Sequence, residues 1–139
     1  MGPVVLEAGT GFRNNITAGK HRLVADEPVD AGGTDEGPTP YDFISAGLGA
    51  CTSMTMRVVA KRENIPLEGA EVHITNDRMY AKDCADCTSA NGYIHKFEVR
   101  IKLIGKLTDT QRERLLSVAK RCPVAKTLTS EIRIEESLI

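Results

Sequence analysis

The chain has 139 residues, 41% of them hydrophobic, a length that suits one compact core, so residues 1–139 read as a single domain and a second independent core is not expected. Eighteen Lys and Arg stand against 19 Asp and Glu, a formal net charge of −1, and no global field draws the protein to nucleic acid or to an anionic membrane. Trp is absent, and three Tyr and three Phe are too few for the stacking platforms of single-strand binders.

The opening "MGPVVLEAG" lacks a basic segment followed by a long apolar run, and no stretch is read as the roughly 20 apolar residues of a membrane span. The expectation is a cytoplasmic protein with no nucleic-acid or membrane partner. In a reducing compartment the four cysteines, Cys51, Cys84, Cys87 and Cys122, are expected to be redox-active, metal-binding or buried rather than structural disulfides.

In chain order, "NNITAGKHRLVADEP" gives two short alternating runs about Ala18-Gly19, a β-hairpin pattern. The turn-rich "DEPVDAGGTDEGPTP" separates it from a helix. Thr39 can cap that helix, with Pro40 at its first position and Asp42 in its first turn. Phe43, Gly47, Cys51, Met54 and Val58 recur at helical spacing and predict one inward stripe. Gly47 and Gly49 predict a break just before Cys51, with a new helix start beside the sulfur.

Val72 and Ile74 alternate with His73 and Thr75, and Phe97, Val99, Ile101 and Leu103 alternate with Glu98, Arg100 and Lys102, so both segments read as half-buried strands. Between them "YAKDCADCTSANGY" reads as a long hairpin tip ending in an Asn91-Gly92 turn. Thr108 and Gln111 form a capping-box pattern before a second helix. Pro123 starts a third, and Ile132 and Ile134 predict a closing strand. The sum is an α+β fold, mainly antiparallel sheet with helices packed on it.

Two readings stand for Cys51: a small packing residue, or a nucleophilic thiolate favoured by the helix start after the glycines. Cys122, before Pro123, is expected at a helix cap, and it is either packing or a resolving partner if the fold brings it to Cys51. Cys84 and Cys87 form a C-x-x-C that can close a local redox pair or supply half of a zinc site, with His73 and His95 the nearest histidines in sequence. The thioredoxin context is missing, and the glycine loop is neither a P-loop nor a dinucleotide fingerprint. Arg22 either presents a cation to a pocket or faces solvent.

The run "HRLVADEPVDAGGTDEGPTPYDFISAGLGACTSMTMRVVA", followed by "RCPVAKTLTSEIRI", resembles the OsmC/Ohr family of osmotically inducible and organic hydroperoxide resistance proteins. Its specific features are the P-T-P-Y-D-F block before Ala50-Cys51 and the Cys122-Pro123-Val124 motif, with "DCADC" marking an OsmC-like subgroup. The resemblance implies an intertwined homodimer with a long central helix and thiol-dependent peroxidase chemistry. Cys51 matches the peroxidatic cysteine and Cys122 the resolving one. Tyr41, Asp42, Arg22 and Met54 are the implied pocket candidates. No cofactor is implied, only an organic hydroperoxide substrate and an external thiol or lipoyl-type dithiol reductant. Strong peroxidases of the family carry a glutamate where this chain has Tyr41, paired with an arginine for which Arg13 and Arg22 are the candidates. A small-molecule or acyl-binding dimer and a redox sensor are the alternative functions.

Overall fold

The structure, a computed structural model, describes residues 2–7 and 11–139. It divides into two compact units, Met1–Ile44 and Ser45–Ile139. The first holds an antiparallel sheet of β1 (Val4–Glu7), β2 (Asn14–Ala18) and β3 (His21–Ala25) in the order β1-β2-β3. The β2–β3 hairpin is the one predicted, with Ile16 opposite Leu23 and Ala18 opposite His21. Gly19 takes φ +60° in the connecting turn, which is open to glycine without steric cost. Strand β1 was not anticipated, because Val4, Val5 and Leu6 show no alternation in a run so short; it pairs with β2 through Val5–Ile16.

The turn-rich segment after β3 is an ordered loop built on Asp26, which is 1% exposed. Its carboxylate accepts from the amides of Glu27, Thr34 and Glu36 at 2.8, 3.2 and 3.1 Å, and from the Thr34 hydroxyl at 2.6 Å. The Thr34 hydroxyl and the three amides hold the carboxyl down at about 2 against the opposing effect of burial. Gly33 is required inside this loop, since a Cβ there would lie 1.8 Å from the Glu27 carbonyl oxygen.

Helix α1 (Pro40–Arg62) begins as predicted. Thr39 Oγ1 accepts from the Asp42 amide at 3.2 Å, and Asp42 Oδ2 accepts from the Thr39 amide at 2.9 Å and from its hydroxyl at 2.8 Å. Two expectations about the helix are corrected. It is unbroken through Gly47 and Gly49, and at Gly49 the reason for a small residue is packing: a Cβ there would come within 3.1 Å of Ile74 Cδ1. The small residue admits a strand side chain and does not end the helix. The buried face is Leu48, Thr52, Met56, Val59 and Ala60, not the predicted stripe. Met54 and Val58 are each 63% exposed; at about 100° per residue, Met54 points roughly away from Met56.

In the second unit β4 (Gly69–Tyr80) and β5 (Tyr93–Ile104) pair antiparallel along their length, from Gly69–Ile104 to Tyr80–Tyr93. Their alternation is as predicted, with Val72, Ile101 and Leu103 packed on a core of Met56, Ala60, Leu115 and Ala119. Helix α2 (Asp109–Ala119) carries the full capping box of Thr108 and Gln111. Arg114 joins it to the end of α1 through a bidentate pair with Glu63, Nε donating at 3.2 and 3.0 Å and Nη2 at 2.5 Å. Helix α3 (Pro123–Leu128) follows. The expected closing strand is absent: residues 131–139 have no regular structure, and Ile132 and Ile134 are 54% and 79% exposed. Alternation alone makes no strand where no neighbouring strand completes the ladder.

The fold is thus α+β with antiparallel sheets. By length and apolar composition α1 is able to cross a bilayer, a correction to the reading that no stretch approaches that length. Its Met56 and Ala60 pack against Leu115 and the β4–β5 sheet.

Candidate active site

Cys51 lies midway along α1, half-buried, with its thiol free. Since the helix is continuous, no helix start stands beside the sulfur, and the expected stabilisation of a thiolate by such a start does not apply. Its carbonyl accepts from the Thr55 hydroxyl at 2.7 Å. Around the helix, Cys51 sits between the exposed Met54–Val58 side and the buried Leu48–Thr52 side, at the border of the core.

Cys122 is the N-cap of α3, as its place before Pro123 predicts, and is wholly buried with a free thiol. Its Sγ accepts from the Ala125 amide at 3.3 Å. A second contact, 3.6 Å long, joins Cys122 Sγ to Thr52 Oγ1. The Thr52 hydroxyl already donates to the Leu48 carbonyl at 2.8 Å, so its only hydrogen is committed. The Cys122 thiol is therefore the donor and Thr52 the acceptor. The residue after Cys51 in the chain thus rests on Cys122.

An apolar cavity of about 720 Å³ opens beside this contact. Thr52 and Ala125, which hydrogen-bond with Cys122 Sγ, line it, together with Leu48 from α1, Phe97 and Val99 from β5, and the hairpin tip with Cys84 and Cys87. Cys51 is outside that lining. A smaller space of about 380 Å³ lies between β4 and the Ser45, Gly49 and Ser53 side of α1.

Cys84 and Cys87 form a disulfide with Cα atoms 5.5 Å apart. Of the open readings for the C-x-x-C, the structure adopts the closed local pair. With Asp86 the two sulfurs form a compact cluster of metal-ligand type that, among the described residues, includes no histidine. In the disulfide state neither sulfur is the thiolate that zinc requires.

The remaining candidates sit elsewhere on the chain. Asp42 is engaged with Thr39 as a helix cap. Tyr41 is 53% exposed in the first turn of α1, and Met54 is on the exposed side. Arg22 is exposed on β3 opposite Thr17, and Arg13 pairs with Glu36 at 2.6 Å and with Asn15 at 3.0 Å. Sequence reasoning missed Thr52 and Ala125. A threonine four residues after Leu48 signals at most a hydroxyl bonded back to the helix, and nothing local announces a sulfur 70 residues away.

A family model described as OsmC-like protein matches residues 33–137. The chain belongs to the OsmC-like family. Solved structures agree in fold. A protein from Psychrobacter arcticus 273-4, provisionally named an osmotic stress induced and detoxification response protein, superposes with a TM-score of 0.72 at 22% identity, covering 91% of this chain and 87% of that one. An organic hydroperoxide resistance protein OsmC from Legionella pneumophila gives 0.65 at 21% identity over 93% and 90% of the two chains. One from Elizabethkingia anophelis gives 0.67 at 18% identity over 92% and 86%. No curated protein matches the sequence. At these identities the likeness carries the fold and leaves the activity to the site.

Proposed function

We propose that the protein is a thiol-dependent reductase of organic hydroperoxides, with Cys51 the attacking sulfur and Cys122 the resolving one. The observation that supports this most directly is the contact of Thr52 with Cys122, which puts Cys122 against the helical turn that carries Cys51. Family membership and the names of the Legionella and Elizabethkingia proteins point the same way.

In this scheme the Cys51 thiolate attacks the terminal peroxide oxygen. The O–O bond breaks, the alkoxide leaves and takes a proton to become the alcohol, and Cys51 becomes a sulfenic acid. The Cys122 thiol then attacks the Cys51 sulfur. An S–S bond forms, the S–O bond breaks, and hydroxide departs with the thiol proton as water. An external dithiol, thiol or lipoyl-type, reduces the disulfide. No resident cofactor takes part, and the cytoplasm suits a cycle that depends on reduced thiols.

The working unit we propose is a homodimer. Cys51 shares its side of α1 with Met54 and Val58, both 63% exposed, and a second copy covering that side would shelter the nucleophile in an apolar setting suited to an alkyl group. The experiment is consumption of cumene hydroperoxide with a dithiol reductant. Turnover is expected in the parent chain and its loss in Cys51→Ser; equal turnover in both would overturn the assignment.

A second reading, an apolar small-molecule or acyl-binding module, draws on the 720 Å³ cavity. It predicts ligand binding without peroxide turnover and no effect of Cys51→Ser.

A further inference from the structure

Cys122 presents a difficulty for recycling. Its sulfur is wholly buried, so a reductant in solution meets the Cys51–Cys122 bond only at the half-buried Cys51. Cys84 and Cys87 are half-buried, and both line the cavity whose wall includes Thr52 and Ala125, which hydrogen-bond with Cys122 Sγ. The half-buried C-x-x-C thus shares one cavity with Thr52 and Ala125, the hydrogen-bond partners of the Cys122 sulfur.

The segment that carries it is anchored at its base. Tyr80 and Tyr93 stack with centroids 4.6 Å apart, and Arg78 lies 4.5 Å from the Tyr93 ring centroid. The Ala81 amide donates to the Gly92 carbonyl at 2.9 Å and the Cys84 amide to the Ala81 carbonyl at 3.1 Å. Residues 82–91, with the disulfide among them, lie beyond this clamp. Asp86 Oδ1 is 3.6 Å from Cys84 Sγ, close enough to take the proton of that thiol once it is reduced.

We propose that Cys84 and Cys87 are a second redox pair that relays electrons from an external dithiol to the Cys51–Cys122 disulfide, a role that rests on the peroxidase reading of Cys51 and Cys122. The external dithiol first reduces Cys84–Cys87. Asp86 takes the Cys84 proton, and the Cys84 sulfur attacks Cys122 from the cavity side, breaking the Cys51–Cys122 bond. This forms a Cys84–Cys122 bond and releases Cys51 as a thiolate, ready for peroxide. Cys87, giving up its own proton, then attacks Cys84, restoring the Cys84–Cys87 disulfide and releasing the Cys122 sulfur, which is reprotonated. The electron pair ends on Cys51 and Cys122.

The test separates the relay from the peroxidase cycle. Protein oxidised with diamide to hold both disulfides is given one equivalent of dihydrolipoamide, quenched with an alkylating agent at intervals and mapped by non-reducing peptide mass spectrometry. The expected result is alkylated Cys51 and Cys122 with Cys84–Cys87 still joined. In Cys84→Ser/Cys87→Ser, reduction of Cys51–Cys122 should be at least about tenfold slower. In Cys87→Ser, oxidised to hold the Cys51–Cys122 bond, a Cys84–Cys122 cross-linked peptide should accumulate. Asp86→Asn keeps all four sulfurs and should slow transfer severalfold without changing the final distribution. Equal reduction rates in the parent and the double variant would overturn the relay. Failure of cumene hydroperoxide to join Cys51 to Cys122 in the parent and the double variant alike would instead overturn the peroxidase reading.

Discussion

Thr52 Oγ1 and Cys122 Sγ meet at 3.6 Å across 70 residues of sequence, both in the buried interior. The thiol donates, the threonine accepts, and the Ala125 amide approaches the same sulfur from α3. In Thr52→Val the shape is kept and the acceptor lost, so the Cys122 thiol is left buried without it. A net cost of about 1 kcal/mol is expected, visible as a lower urea midpoint with unchanged slope.

The exposed side of α1 gives the second prediction. If a second copy covers Met54 and Val58, a carboxylate at either position meets an apolar surface and must be desolvated there. Met54→Glu and Val58→Glu are expected to shift the particle from dimer to monomer in analytical ultracentrifugation, with circular dichroism unchanged. A parent chain that sediments as a monomer at micromolar concentration would remove the dimer from the account.

Gly49 tests how closely α1 approaches β4. An alanine gains about 0.8–1.0 kcal/mol of helix propensity but places its Cβ 3.1 Å from Ile74 Cδ1, a contact the isoleucine side chain relieves by a small shift. Gly49→Ala should therefore be close to neutral. Gly49→Leu adds atoms with nowhere to go and is expected to cost about 1–3 kcal/mol, measured by thermal or urea unfolding.

These packing facts mark where sequence reasoning stopped. The hairpin at Ala18-Gly19, the Thr39 cap, the β4 and β5 alternation, the Thr108 capping box and the Cys122 cap were legible because each depends on a few adjacent residues. The inward side of α1 was not, because α1 carries apolar residues on two sides: Leu48, Met56 and Val59 face this chain's core, whereas Met54 and Val58 do not. Hydrophobic periodicity finds both stripes and cannot choose between them. Gly49 misled for a related reason, since a glycine that ends a helix and one that admits Ile74 look alike until β4 is in place. Of the site, both free cysteines were visible as candidates, but the threonine between them was not.

Asp26 gives a pH-dependent prediction for the loop of residues 27–38. Its folded value, about 2, lies below the ordinary 3.8, so the ionised form stabilises the folded loop. That contribution is fully present above about pH 4 and is lost as the pH falls through about 2. Amide hydrogen exchange at Thr34 and Glu36, whose amides donate to the carboxylate, should be protected near neutral pH and lose protection over that acid range. Asp26→Asn should already exchange fast at neutral pH. Equal protection in the two proteins would show that the loop holds without the charge.

The central claim is that Cys51 and Cys122 are partners in a peroxide-driven cycle. The most direct measurement uses Cys84→Ser/Cys87→Ser, in which only Cys51 and Cys122 remain as thiols. The reduced protein is treated with one equivalent of cumene hydroperoxide, quenched and mapped without reduction. A Cys51–Cys122 disulfide is expected within the peroxide-consuming phase, and none in Cys51→Ser. Both thiols recovered reduced, with the peroxide intact, would contradict it.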